Sequence, residues 1–279
     1  MSAHALTPKA NDYELQQVTE IGAWKGEEPS VISQAFGFAI EPLAWLVNKI
    51  VPESAIRAVL DGANSVGEYL ADEADVLRDG GVTSIEALRA KDLEVSDRIA
   101  NVSHNWANGL ATGIGGGGGV FGLPGMAVDI PLTITLALRS IHKIGLCYGY
   151  RCDDVIGKQF VLGILAASGA NSQEERIAAI ATLHSLGVVL QKVTWKQMTM
   201  NAAQNQFSKD ALLMAVKQLA RQLGINITKR KALGAIPIIG AAIGGSVNYW
   251  YMNDVCWAAR RAFQERWLRE QGRWPEGKS

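Results

Sequence analysis

WANGLATGIGGGGGVFGLPGMAVDIP, residues 106–131, decides the fold class of this chain. Nine glycines fall between Gly109 and Gly125. A helix interior loses roughly 1 kcal/mol per glycine relative to alanine, so the run Gly115–Gly119 alone costs about 5 kcal/mol. Either close packing against another helix or lipid offsets that cost, or the run leaves helical geometry. The stretch sits inside a longer one, Ile99–Val128, with no Asp, Glu, Lys or Arg in 30 residues, and Ala232–Asn253 is a second such stretch of 22. Both have the length needed to cross a hydrocarbon layer, about 20 residues of helix. Gly, Asn and Pro dilute their hydrophobicity below that of an ordinary spanning helix. Each is expected to form a helical hairpin turning at its Pro and Gly, Gly122-Leu123-Pro124-Gly125 in one and Gly234 to Gly240 around Pro237 in the other. The pairs Gly109/Gly113, Gly118/Gly122 and Gly240/Gly244 have the four-residue separation that lets two helix backbones approach closely.

Outside these stretches apolar residues recur at helical spacing and strand alternation is scarce. Ile130, Ile134, Leu138, Ile141 and Ile144 line one face, with Arg139, His142 and Lys143 on another. Leu212, Val216, Leu219, Ala220 and Leu223 repeat the pattern opposite Lys217 and Arg221. Thr83 with Glu86 and Ser172 with Glu175 have the spacing of a capping box, and Gly80-Gly81, Gly169 and Gly224 are stop signals. Prolines 29, 42 and 52 divide the first hundred residues into helices near Tyr13–Lys25, Val31–Ile50 and Glu53–Leu77. The expectation is an all-α protein: a single multi-helix bundle over residues 11–270, with two glycine-rich apolar hairpins and frayed ends at 1–10 and 271–279.

Charge is balanced at 27 basic and 27 acidic residues but unevenly placed. Residues 1–98 carry 8 basic and 17 acidic side chains, whereas after Gln191 there are 14 basic and 5 acidic. No global field draws the chain to nucleic acid. Two readings follow: the acidic front complements the basic rear across an internal interface, or the rear meets anionic lipid headgroups. On the second, Lys229, Arg230, Lys231, Trp250, Trp257, Arg260, Arg261, Arg266 and Trp267 contact the membrane, their mixture of rings and cations suiting a headgroup layer. On the first, the rings fill a core and the arginines form pairs four residues apart, such as Arg261–Glu265 and Glu265–Arg269.

The order glycine cluster, GLPG, Asp129-Ile130-Pro131, then a helix closing on Tyr148-Gly149-Tyr150, resembles the EcsC protein family of bacteria. The later block Ile236–Gly245 is similar to that family's second glycine-rich segment, and the resemblance spans about residues 11–270. The family takes its name from a protein encoded beside an ABC transporter, so the resemblance implies a link to membrane transport and carries over no catalytic residues.

Chemical motifs are weak. Gly113-Ile114-Gly115-Gly116-Gly117-Gly118 matches a dinucleotide fingerprint formally but lacks the preceding strand, and no GK[ST] follows. Ser246 lacks the closing glycine and strand of a nucleophile elbow. His142, Cys147 and Cys152 at intervals of five scatter around a helix, so neither a metal site nor a cofactor is expected. Asp129 is the only charged residue from Ile99 to Leu138. Followed by Pro131, it reads as a helix N-cap; with His142 it is the candidate for catalysis if the chain is an enzyme. Three cysteines without CxxC spacing and no signal-like segment suit a reducing, cytoplasmic location on the inner face of the membrane. The leading expectation is a non-enzymatic, membrane-associated protein that assists or regulates a transport or secretion system. Its partners would be an anionic membrane surface and a membrane transport protein. The alternatives are a soluble helical enzyme acting on a lipid or peptide, and a soluble helical interaction module.

Overall fold

A computed structural model describes residues 10–26, 73–118, 122–168 and 240–275. Among the described residues the protein is all-α: α1 Asp12–Gly26, α2 Glu73–Gly80, a 3₁₀ helix Ile85–Ala90, α3 Leu93–Gly118, α4 Gly122–Cys147, α5 Val155–Ser168 and α6 Gly240–Glu270. The helices expected at Val31–Ile50 and around Leu212–Leu223, and the signals at Ser172 and Gly224, lie outside them.

Local chemistry accounts for the helix ends. Asn11 and Glu14 form a reciprocal capping box: the Glu14 amide donates to Asn11 Oδ1 at 2.8 Å, and the Asn11 amide to Glu14 Oε2 at 2.9 Å. The box expected at Thr83 does not form. The 3₁₀ helix begins after Ser84 with no side-chain cap, because Glu86 turns instead to Arg151, whose Nε donates to it at 2.8 Å. Helices α2, α4 and α6 end alike, on a left-handed glycine: Gly81 (φ 59°), Gly149 (φ 86°) and Gly272 (φ 65°). In each, the amide after the glycine reaches back to the carbonyl five residues earlier, as from Val82 to Leu77, Tyr150 to Gly145 and Arg273 to Leu268.

Three long helices form the frame. Going up α3, Asp97 meets Gln264, Asn101 meets Arg260 and His104 meets Asn253, so α6 runs antiparallel to it. Ser103 meets Cys147 and Trp106 meets Arg139, so α4 is antiparallel to α3 as well. The C-terminus of α3 and the N-termini of α4 and α6 therefore share one end of the frame, here called the pole; the other end is the base. At the base α1, α2, α5 and the 3₁₀ helix pack around it. On α4 the expected face is buried at Ile134, Leu138, Ile141 and Ile144, and the opposite residues His142 and Lys143 are buried too, because neighbours surround this helix. Trp267, Tyr148 and Phe263 are the largest fully buried side chains among the described residues, each worth about 2–3 kcal/mol of apolar transfer.

Several expectations need correction. Asp129 is not an N-cap: α4 begins at Gly122 and continues through Pro131, at the loss of one backbone hydrogen bond. The proline that sits in the first turn, where amides lack intrahelical acceptors, is Pro124. Four glycines of the run, Gly115–Gly118, remain helical within α3. Residues 271–274 do not fray. Gln271 donates to the Arg89 carbonyl at 2.9 Å, Arg273 bonds Glu14, and Trp274 packs on the core. Gly122-Leu123-Pro124-Gly125, where the first hairpin was expected to turn, is instead the first turn of α4; the segment Gly119–Phe121 and all residues from 169 to 239, with the expected turn around Pro237, lie outside the described residues.

Candidate functional site

The two ends of the frame differ in chemistry, and the base holds three of the cations that sequence assigned to lipid, Arg260, Arg261 and Arg266. Arg260 and Arg261 are each 8% exposed and Trp267 is 1% exposed. Arg261 donates to Gln17 at 2.9 Å and to Glu20 at 2.6 Å, both on α1, while Arg260 donates to Asn101 at 3.1 Å. Arg266 lies over the Tyr150 ring at 3.9 Å and donates to Glu270 at 2.8 Å. Three of these four side chains are buried and Arg266 is half-buried, and the three arginines have partners inside the protein. The internal-interface alternative describes them better, with a change of partner: Glu265 takes Arg269 at 2.7 Å as expected, plus Lys25 at 2.9 Å, whereas Arg261 goes to Glu20. Trp257 is half-buried, with Arg260 and Arg261 at 4.4 and 4.9 Å from its ring centroid and His104 meeting it edge-on. Trp250 is half-buried as well, and Lys229, Arg230 and Lys231 lie outside the described residues.

Asp97, which the sequence reading passed over, is the hub of the base. It accepts hydrogen bonds from Tyr13 at 2.7 Å, from Gln264 at 2.7 Å and from Tyr148, joining α3 to α1, α6 and the turn that closes α4. Its register was the available signal: it falls on the stripe Leu93, Asp97, Ala100, His104, all buried. Burial and then the Asp97 charge push the Tyr148 phenol well above its usual range. Burial opposes ionisation of Glu20, but the Arg261 and Gln16 hydrogen bonds outweigh it and hold the carboxyl below its ordinary value. The Arg151 fork, 2.6 and 2.7 Å from Glu73, lowers that carboxyl too.

His142 is 1% exposed, and burial, reinforced by the Lys158 charge, lowers its pKa to about 4. His104 is lowered to about 4 by burial and the Arg260 charge, against the Asn253 contact. Burial pushes Cys147, Cys152 and Cys256 up to about 12. Each shift moves its group away from neutral pH, the opposite of the tuning that a general base or nucleophile needs. Asp129 lies in the eighth position of α4.

At the pole the sequence and the frame combine. Beyond Ile99 on α3, before Arg139 on α4 and before Asp254 on α6, Asp129 is the sole charged residue. Apolar side chains are exposed along this part: Val102, Trp106 and Leu110 at successive turns of α3, Leu132 on α4 and Tyr249 on α6. Gly109 and Gly113 are exposed on the same helix, and a Cβ at either would meet nothing within 4 Å. Among the described residues no neighbouring helix packs against either glycine. Gly118 and Gly122 are the last residue of α3 and the first of α4, and Gly240 and Gly244 stand in the first turns of α6. Among the described residues no helix is long and apolar enough to cross a membrane, and no group of three or more His, Cys, Asp or Glu is arranged to hold a metal ion.

The profile of the EcsC protein family matches residues 15–268. The chain belongs to the EcsC protein family. It is 25% identical over 273 residues to an uncharacterized protein of the same family type, YdbA of Bacillus subtilis (strain 168), covering 92% of this chain and 93% of that one. No solved structure matches. For this EcsC protein the motif order from the glycine cluster to Tyr-Gly-Tyr maps onto the end of α3 and the whole of α4.

Proposed function

We propose that this EcsC protein is a non-enzymatic, membrane-associated protein that lays its uncharged pole on a lipid bilayer and from there assists or regulates a transport or secretion system. The observation that carries this reading is the segregation of charge along three antiparallel helices: among the described residues, one end pairs its charges inside the protein, and the other has almost none to pair. Uncharged α3 from Ile99 to Gly118 is about 30 Å long, and the exposed apolar side chains on it and its neighbours supply the attraction. Moving an exposed leucine or tryptophan into an apolar phase contributes about 1–2 kcal/mol, so several together give measurable partitioning. The basic residues of α6 contribute little to this docking, being occupied at the base.

Flotation with phosphatidylcholine vesicles, with and without phosphatidylglycerol, tests the proposal. Wild-type protein should float, and the double variant Leu110→Glu/Leu132→Glu should stay at the bottom with an unchanged melting temperature, since both side chains are exposed. Wild type remaining in the aqueous phase at physiological salt would overturn it. Co-purification with another protein from a detergent-free lysate would then favour a second use of the same face. Exposed Gly109 and Gly113 beside Leu110 leave room for a partner helix to approach closely.

A further inference from the structure

At the rim where pole meets base, α3 and α4 bring an aromatic ring and two cations together. Trp106 is 37% exposed. Arg139 and Lys143, one turn apart on α4, both lie over its ring, at 4.5 and 5.1 Å from the centroid. Lys143 has Asp75 at 3.9 Å, a carboxylate already held by Arg78 at 2.8 Å. Arg139 pairs with no carboxylate among the described residues, and its buried Nε has no hydrogen-bond partner there. A guanidinium held over an indole by attraction to the ring keeps the in-plane donors of its fork for an oxyanion, which it can take by two parallel bonds. Arg139 is also the first cation of α4 beyond the uncharged passage. Its neighbours Val102 and Leu110, one turn to either side of Trp106, are exposed and apolar. An aromatic ring beside a cation, above an apolar surface, is the arrangement suited to the depth of lipid headgroups.

We propose that Arg139, braced by Trp106 and backed by Lys143, seats the phosphate of an anionic glycerophospholipid, with the apolar side chains of the pole among the acyl chains beneath it. This rests on the pole facing lipid and adds to it a defined depth and a preference for anionic headgroups. Partitioning of the full chain onto phosphatidylcholine vesicles, alone and with phosphatidylglycerol, separates the two ideas. Arg139→Gln should lose about fivefold of its affinity for the phosphatidylglycerol vesicles and none on phosphatidylcholine, while Arg78→Gln, a 69% exposed cation at the base, changes neither. Trp106→Leu keeps an apolar side chain but removes the brace, and should lose twofold to fivefold of the same preference. If wild type binds both vesicles and Arg139→Gln matches it, or falls only as far as Arg78→Gln does, the seat is overturned and the pole reading stands. If wild type binds neither, both fall. Inorganic phosphate titrated calorimetrically without vesicles should give no heat dependent on Arg139 below about 1 mM; such heat would assign the seat to a free anion and overturn the lipid assignment.

Discussion

Base and pole are made from the same three helices, yet they are held by different physics. At the base, acids of α1 meet cations of α6 and of the turn that follows it across more than 240 positions of sequence, as in Glu20–Arg261 and Glu14–Arg273, and buried Asp97 of α3 ties α1, α6 and the turn that closes α4 through three donors. Glycines there are crowded: a Cβ on Gly149 would lie 3.0 Å from the Arg89 amide nitrogen, and one on Gly145 3.1 Å from the Tyr150 carbonyl oxygen. Toward the pole the helices expose apolar side chains, and Gly109 and Gly113 stand in open space. The difference teaches that a glycine-rich, uncharged passage need not be the protein's tightest part. Geometric specificity resides where polar groups are buried, since an orphaned one costs more than a lost apolar contact.

The strongest way to stress this contrast is acid. Burial keeps His104 and His142 neutral when folded, with pKa values of about 4, whereas the unfolded chain takes up protons from about 6.5. Their stabilising neutrality is complete above 6.5 and is lost as pH falls toward 4, about 3 kcal/mol for each. Urea unfolding at pH 7, 5.5 and 4 measures it; equal midpoints would remove the histidines from the account. Next, Asp97→Ala should cost about 4 kcal/mol by leaving Tyr148, Tyr13 and Gln264 without their acceptor, read from the same denaturation curves at pH 7. Gly149→Ala should cost about 3 kcal/mol, since φ of 86° and the nearby Arg89 amide both resist a methyl group; a melting temperature equal to wild type would show that the turn relaxes freely. The smallest effect has the opposite sign. Gly109→Ala and Gly113→Ala should each stabilise by about 0.5–1 kcal/mol, as helix propensity rises with no contact to offend; destabilisation would mean that this face of α3 is covered.

Helix identity was legible because it depends on local periodicity. Tyr13–Lys25 was expected and Asp12–Gly26 is found, Gly80-Gly81 stops α2, and the isoleucine and leucine stripe of α4 is buried. The environment of the α6 arginines was not legible. Periodicity reports that a cation is on a helix and says nothing of whether Glu20 or Gln17, from the other end of the chain, will reach it. The net imbalance between front and rear did hold that information in averaged form, and Glu14–Arg273 and Glu20–Arg261 are its residue-level content. Asp129 misled because an acid two residues before proline usually starts a helix, whereas here Pro124 had already done so. The pole needed both sources: two uncharged passages in sequence, and the antiparallel frame that puts them at one end.

All three native thiols, Cys147, Cys152 and Cys256, are buried and displaced to about 12. Burial holds each of them protonated at neutral pH and out of contact with solvent, so alkylating reagents should find little to attack in the folded protein. Without removing a single cysteine, the wild-type chain already serves as a silent background. A reporter thiol installed at position 102, 110 or 132 would be the one group to take up a spin label or fluorophore, turning immersion depth into a spectroscopic reading.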